Sequence, residues 1–223
     1  MLRVGSTEIM VISPIDTTNE GPKVPKGAKG WQPVHLMQGS MDGACGLYSL
    51  MMALIICGVV RYDDARAFYT FGPKSKIGRL FEYFGELGPL VKQGTNLDQM
   101  FTAIDEYCPG QIDFQGEKSK GPDLIEFIDQ NIIDNHPVLL ILSFKGEGHW
   151  VLVIGRECER QGKEKKLCRF LILDPSEDTS KICSWNGVIG TIKQKGKYPY
   201  SWWTKKDHVQ LEYALAMWPK EHK

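Results

Sequence analysis

A chain of 223 residues, 42% apolar and 24% charged, has the length and composition of one globular domain whose core needs neither metal nor disulfides. Its 27 basic and 27 acidic residues balance, which argues against a nucleic-acid footprint or a general attraction to anionic membranes. The longest apolar run, 47–60, is interrupted by Tyr48, Ser49 and Gly58 and is too short to span a bilayer, and no basic segment followed by an apolar one opens the chain as a secretory signal would.

Residues 1–30 are rich in Pro, Gly, Thr and Lys and predict an extended N-terminal arm ahead of a single domain over 31–223. Ala44 to Cys57 is almost wholly apolar and lacks proline, and Gly58 follows as a stop, which predicts a buried helix with Cys45 in its first turn. Short amphipathic helices are expected over 63–71 and 77–87. Thr95 is the expected N-cap of a helix from Leu97 to Tyr107, with Leu97, Met100, Phe101 and Ile104 on one face. Pro122 opens another, striped by Leu124, Ile125, Phe127, Ile128, Ile132 and Ile133. The pattern then turns to strands: 138–144, 149–155 after a Lys145–Gly148 turn, 169–173, and 209–218. The charged stretch 157–166 reads as a solvated hairpin tip. Helices first and strands after give an α+β order.

Three positions carry chemistry. Cys45 lies at a helix start beside Gly43 and Gly46. A thiol becomes a strong nucleophile when ionised, and a helix N-terminus and a nearby imidazolium both favour the thiolate. His149 follows Gly146 and Gly148 and heads an aliphatic strand, where a histidine can shuttle the proton. Asp174 ends the next strand-like run before Pro175, and neighbouring strands lie close enough for its carboxylate to orient the imidazole. Gln38, seven positions before Cys45, is a candidate oxyanion donor together with the Cys45 N–H. Each residue also has a plain structural reading: a small core thiol, a surface histidine, a turn-forming Asp-Pro, a loop glutamine. Their coincidence favours catalysis. His35, His136, His208 and His222 are the rival histidines.

The other cysteines, Cys57, Cys108, Cys158, Cys168 and Cys183, form no CxxC pair, so no zinc site and no cofactor is expected. Their low density favours reduced thiols in the cytoplasm, with a disulfide-linked secreted protein as the alternative and export without a cleaved signal left open. Tyr198, Tyr200, Trp202 and Trp203 line a groove or dock a partner on one reading and cap the sheet as core on the other. Lys193, Lys195, Lys197, Lys205 and Lys206 read as solvated charges.

Gln38, then Asp42-Gly43-Ala44-Cys45-Gly46-Leu47, then His149-Trp150-Val151 and Asp174-Pro175, resembles the papain-like cysteine peptidase superfamily. The resemblance is to the branch of double-glycine leader peptidases of bacteriocin exporters and their stand-alone relatives, and it spans about residues 36–176. Ala44 stands where that branch commonly has an acid. The resemblance implies a papain-like α+β fold, with a helical half holding the catalytic helix followed by an antiparallel β-sheet half. It implies Cys45 as nucleophile, His149 as base, Asp174 as orienting acid and Gln38 as oxyanion donor. The expected activity is a cysteine peptidase or isopeptidase acting on a protein or peptide, after small residues such as Gly-Gly, with a protein partner or regulator possible. Acyl transfer to an amine by the same triad and a non-catalytic binding module are the alternatives.

Overall fold

The computed structural model describes residues 6–39, 44–66, 76–86, 94–162 and 164–220. Strand residues outnumber helical ones, and the strands do not form the open sheet half of a papain-like fold. Strands β6 (Val138–Phe144), β7 (Glu147–Gln161), β8 (Glu164–Leu173), β9 (Gly187–Gly190), β10 (Tyr200–Trp202) and β11 (Asp207–Pro219) pair antiparallel in the ring β6-β7-β8-β9-β10-β11, and β11 returns to β6. This closed six-stranded barrel overturns the expected architecture of a helical half followed by a sheet half. The expectation failed at the closing strands. Gly187–Gly190 and Tyr200–Trp202 are too short to show a period-2 pattern, yet they join β8 to β11.

The long strands are legible in their side chains. β6 reads VLLILSF, apolar on both faces, and is buried over most of its length. The expected hairpin tip at 157–166 is instead mostly strand: β7 and β8 run on to Gln161 and Glu164, pairing Glu157 with Arg169 and Glu159 with Lys166. A bulge between Leu211 and Tyr213 in β11 bends that strand around the barrel. β5 (Ile112–Glu117) covers the far part of β11, Ile112 lying opposite Pro219.

The N-terminal stretch expected to be an extended arm is also in strands. β1 (Thr7–Val11) lies along the outer half of β7, from Thr7 opposite Glu159 to Val11 opposite Gly155. Gly155 is required by that approach, since a Cβ there would meet the Met10 carbonyl oxygen at 2.5 Å. β2 (Asp16–Thr18), β3 (Gly21–Pro25) and β4 (Trp31–Pro33) make a separate three-stranded antiparallel sheet.

Five helices are described: α1 (Cys45–Ile56), α2 (Tyr62–Arg66), α3 (Lys76–Glu86), α4 (Leu97–Tyr107) and α5 (Pro122–Ile133). α1 is apolar on every face, so it is buried on every face, against β7 and β6. α4 is capped by Asn96, not by Thr95. Asn96 Oδ1 accepts the Gln99 N–H at 2.9 Å, and Gln99 Oε1 accepts the Asn96 N–H at 2.8 Å. The expected helix over 63–71 begins at Tyr62, and its end lies outside the described residues. Among the described residues no helix is long and apolar enough to cross a membrane.

Candidate active site

The site forms where β8 stops. Leu173, the last residue of β8, lies opposite Leu152 of β7, so β7 runs on towards His149 with that edge uncovered. The first turn of α1 fills it. The Trp150 N–H points at Cys45 Sγ, 3.4 Å away, and Ser49 Oγ, one helical turn later, donates to the Trp150 carbonyl at 3.2 Å. Both backbone groups of Trp150 are thereby satisfied by α1 instead of a strand. The close fit needs Gly46. A Cβ there would lie 2.6 Å from Thr95 Cβ and 3.1 Å from Trp150 Cδ1. The Trp150 indole N–H completes the seam, donating to the Thr95 carbonyl at 2.6 Å.

Cys45, His149 and Asp174 come together at this seam. All three are buried, Asp174 completely. His149 Nε2 donates to Asp174 Oδ1 at 2.8 Å, and the Cys45 thiol is the ring's other hydrogen-bond partner. With Nε2 committed to the carboxylate, Nδ1 is the nitrogen left for sulfur. His136 and His208 lie elsewhere: His136 stacks on Trp218, and His208 meets Gln194 Oε1. His222 lies outside the described residues.

Asp174 Oδ1 also accepts the Ser176 N–H at 2.9 Å and the Ser176 hydroxyl at 2.8 Å. Burial, the largest influence on Asp174, pushes its carboxyl up. The His149 imidazole and the two Ser176 bonds outweigh it and hold the carboxyl below its ordinary value. Burial is likewise the largest influence on His149, and it lowers. The bonds to Asp174 and Cys45 and the charges of both overcome it, leaving His149 raised from 6.5 to about 9. The imidazole therefore keeps its proton through neutral pH.

Gln38 is tied to this corner by its backbone, its N–H donating to the Pro175 carbonyl at 2.8 Å. Its Oε1 is buried with no hydrogen-bond partner among the described residues. No described bond links its side chain to Cys45. Gly43 and Asp42 lie outside the described residues. Gly146 has φ of 88° and serves the turn before β7, while a Cβ on Gly148 would face open space.

Several neighbours complete the corner in roles that the sequence did not give them. Trp202 stacks on the His149 ring at 5.5 Å between centroids, shielding it from water. The aromatic run thus divides: Tyr200 and Trp202 are buried, whereas Trp203 is exposed with the Arg169 guanidinium 4.6 Å above it. His35, a rival for the catalytic base in the sequence, instead holds the Asp174 carbonyl, and nothing in the sequence marks that role or those of Ser176 and Asn186, which depend on contacts more than a hundred residues apart in chain or on loop geometry. None of the six cysteines is joined in a disulfide. Cys57 is pushed up to about 12 by burial and by neighbouring Cys108, so it is no nucleophile. Among the described residues no three His, Cys, Asp or Glu side chains converge as metal ligands. A cavity lined by Ile104, Cys108, Ile112, Phe114 and Trp218 lies at the far end of β11, away from the triad.

Neither a family model nor any curated protein matches this chain.

Proposed function

We propose that the chain is a cysteine peptidase or isopeptidase that cleaves a peptide bond in a protein substrate. One observation carries the reading: the buried His149 imidazole bonds Asp174 through Nε2 while its other partner is the Cys45 thiol at the start of α1. The Cys45 thiolate, paired with the His149 imidazolium, attacks the carbonyl carbon and forms the carbon–sulfur bond. The carbonyl oxygen becomes an oxyanion. An α-helix leaves the N–H groups of its first turn without intrahelical partners, so those of α1 are assigned as the backbone donors to it, with Gln38 as the side-chain donor. His149 then gives its proton to the leaving amine, and the carbon–nitrogen bond breaks. A water, losing a proton to His149, attacks the thioester, and Cys45 leaves as thiolate. Asp174 keeps the ring aligned throughout and stays ionised.

An uncluttered approach past Gly148 suits a slim segment with small residues, such as Gly-Gly, before the cut. A cysteine nucleophile and six cysteines outside any disulfide suit a reducing compartment, which favours the cytoplasm. The test is iodoacetamide labelling with peptide mapping, paired with Cys45→Ala. Cys45 should be modified ahead of the other five thiols, and Cys45→Ala should keep its fold while losing turnover of a peptide-library substrate. Cleavage by that variant within about tenfold of wild type would remove the assignment, because a lost nucleophile costs far more.

A further inference from the structure

Asp174 sits one residue past the end of β8, and Pro175 after it has no N–H to donate. The strand ladder therefore does not hold the residue that orients His149. Two side chains outside the proposed reaction do so. The Asn186 N–H donates to the Ile172 carbonyl at 3.1 Å, continuing the β8–β9 pairing that sets Gly187 opposite Ile172. Its side chain then takes the next step of the ladder. Asn186 Oδ1 accepts the Asp174 N–H at 2.7 Å, and Nδ2 donates to the Asp174 carbonyl at 2.9 Å. The amide pairs both backbone groups of one residue, as a neighbouring strand would. Nδ2 also lies 3.3 and 3.2 Å from the carbonyls of Glu177 and Asp178.

The second side chain is His35, just beyond β4 and 4% exposed. Its Nε2 donates to the same Asp174 carbonyl at 3.0 Å, with Nδ1 2.7 Å from the Thr179 hydroxyl. The carbonyl has two lone pairs, one for each donor. The sheet that delivers His35 is itself seated on the loop that carries Asp174. Thr17 and Ser184 share a hydroxyl hydrogen bond, and Gly21 is so close to this loop that a Cβ would meet Thr179 Cγ2 at 2.6 Å.

Resting on the cysteine-hydrolase reading, we propose that Asn186 and His35 are positioning residues: they fix the Asp174 backbone, and through its carboxylate the His149 ring, so that the N-terminal sheet is a working part of the active site. A rotation of the freed Asp174 backbone would lengthen the His149–Asp174 bond, and the imidazolium would lose stabilisation.

The test uses the full chain and compares His35→Ala, His35→Gln and Asn186→Ala with wild type. Gln can offer its amide N–H where Nε2 stood; Ala cannot. The readouts are the His149 titration by NMR, the pH profile of Cys45 alkylation by iodoacetamide, and a thermal melt. In the Ala variants His149 should titrate about one unit lower, a tenfold change in the imidazolium equilibrium, and the pH profile of Cys45 alkylation should move down the pH scale with it. His35→Gln should restore both. If Asn186→Ala does not fold, the His35 pair decides. A lowered melt with an unchanged His149 titration would reduce these residues to scaffolding and overturn the proposal. Wild-type Cys45 reacting no faster than the other thiols would instead sink the hydrolase reading, while the His149 titration still judges the positioning claim.

Discussion

Asp174→Asn separates the charge of the triad acid from its geometry. Three donors converge on Asp174 Oδ1: His149 Nε2, the Ser176 N–H and the Ser176 hydroxyl. Oδ2 is buried without a hydrogen-bond partner among the described residues. An asparagine therefore places its oxygen at the Oδ1 position, where all three donors are met, and its NH2 where no bond is lost. What disappears is the negative charge. His149 is raised to about 9 because its partners outweigh a burial that acts the other way. Removing a buried opposite charge in direct contact shifts a pKa by about one to three units, or about 1.4–4 kcal/mol. The variant imidazole should thus titrate at about 6 to 8, and Cys45 should lose its charged partner at lower pH than in wild type. The assay is the titration of the His149 ring protons by NMR, run beside the pH dependence of peptide cleavage. In wild type, cleavage should decline as the pH rises through about 9, where His149 loses the proton it gives to the leaving amine. In the variant that decline should move to lower pH. A His149 midpoint in Asp174→Asn within about half a unit of wild type would refute the electrostatic account of this pair.

The same pair sets a stability window. His149 has a folded value above its unfolded one, so its contribution is full below about 6.5 and is lost as the pH rises through about 9. Urea midpoints should fall across that window and flatten in His149→Gln; a wild-type midpoint constant over the same range would contradict the raised value. Gly46→Ala should cost about 1–3 kcal/mol, because its Cβ overlaps Thr95 and Trp150 at the α1–β7 seam, and a denaturation midpoint equal to wild type would show that the seam yields freely. Gln38→Ala should lower kcat by about 10²–10³-fold if its amide serves the oxyanion, whereas a raised KM with kcat intact would mark it as a ground-state contact.

Length and periodicity decide which parts of the fold could be read from the chain. α1 announces itself through a long apolar run without breakers and α5 through an apolar stripe at helical spacing behind Pro122, and both helices lie close to the expected positions. β6 and β11 are apolar enough to be read as strands. The barrel is another matter. It closes through β9 and β10, of four and three residues, and a strand that short carries no pattern distinct from a loop. The N-terminal strands were masked for the opposite reason. Pro22, Pro25 and Gly21 speak for a loop, but a small sheet with little regular pairing tolerates them, and Gly21 is needed where the sheet meets Thr179. Thr95 and Asn96 are both sound N-cap residues. Only the reciprocal bond with Gln99 selects Asn96, leaving Thr95 to meet Trp150.

The correction to the fold does not carry over to the site, and the reason is local. Bringing a thiol, an imidazole and a carboxylate together needs a helix start, a strand start and a strand end at one corner, and these are neighbours in more than one architecture. Here the corner exists because β8 ends opposite Leu152. That single termination exposes the edge of β7 for α1 and releases Asp174 from the ladder within reach of His149. Residues proposed to make the chemistry are recognisable in sequence because a nucleophile, a base and an orienting acid each require a particular side-chain type. Residues that hold the corner together are not, because any group with the right donor in the right place would serve. His35 meets Asp174 from 139 positions away, and Asn186 meets it as a side chain imitating backbone. Neither leaves a spacing that a reader of the sequence could use, so the support of the site became legible only when the chain was folded.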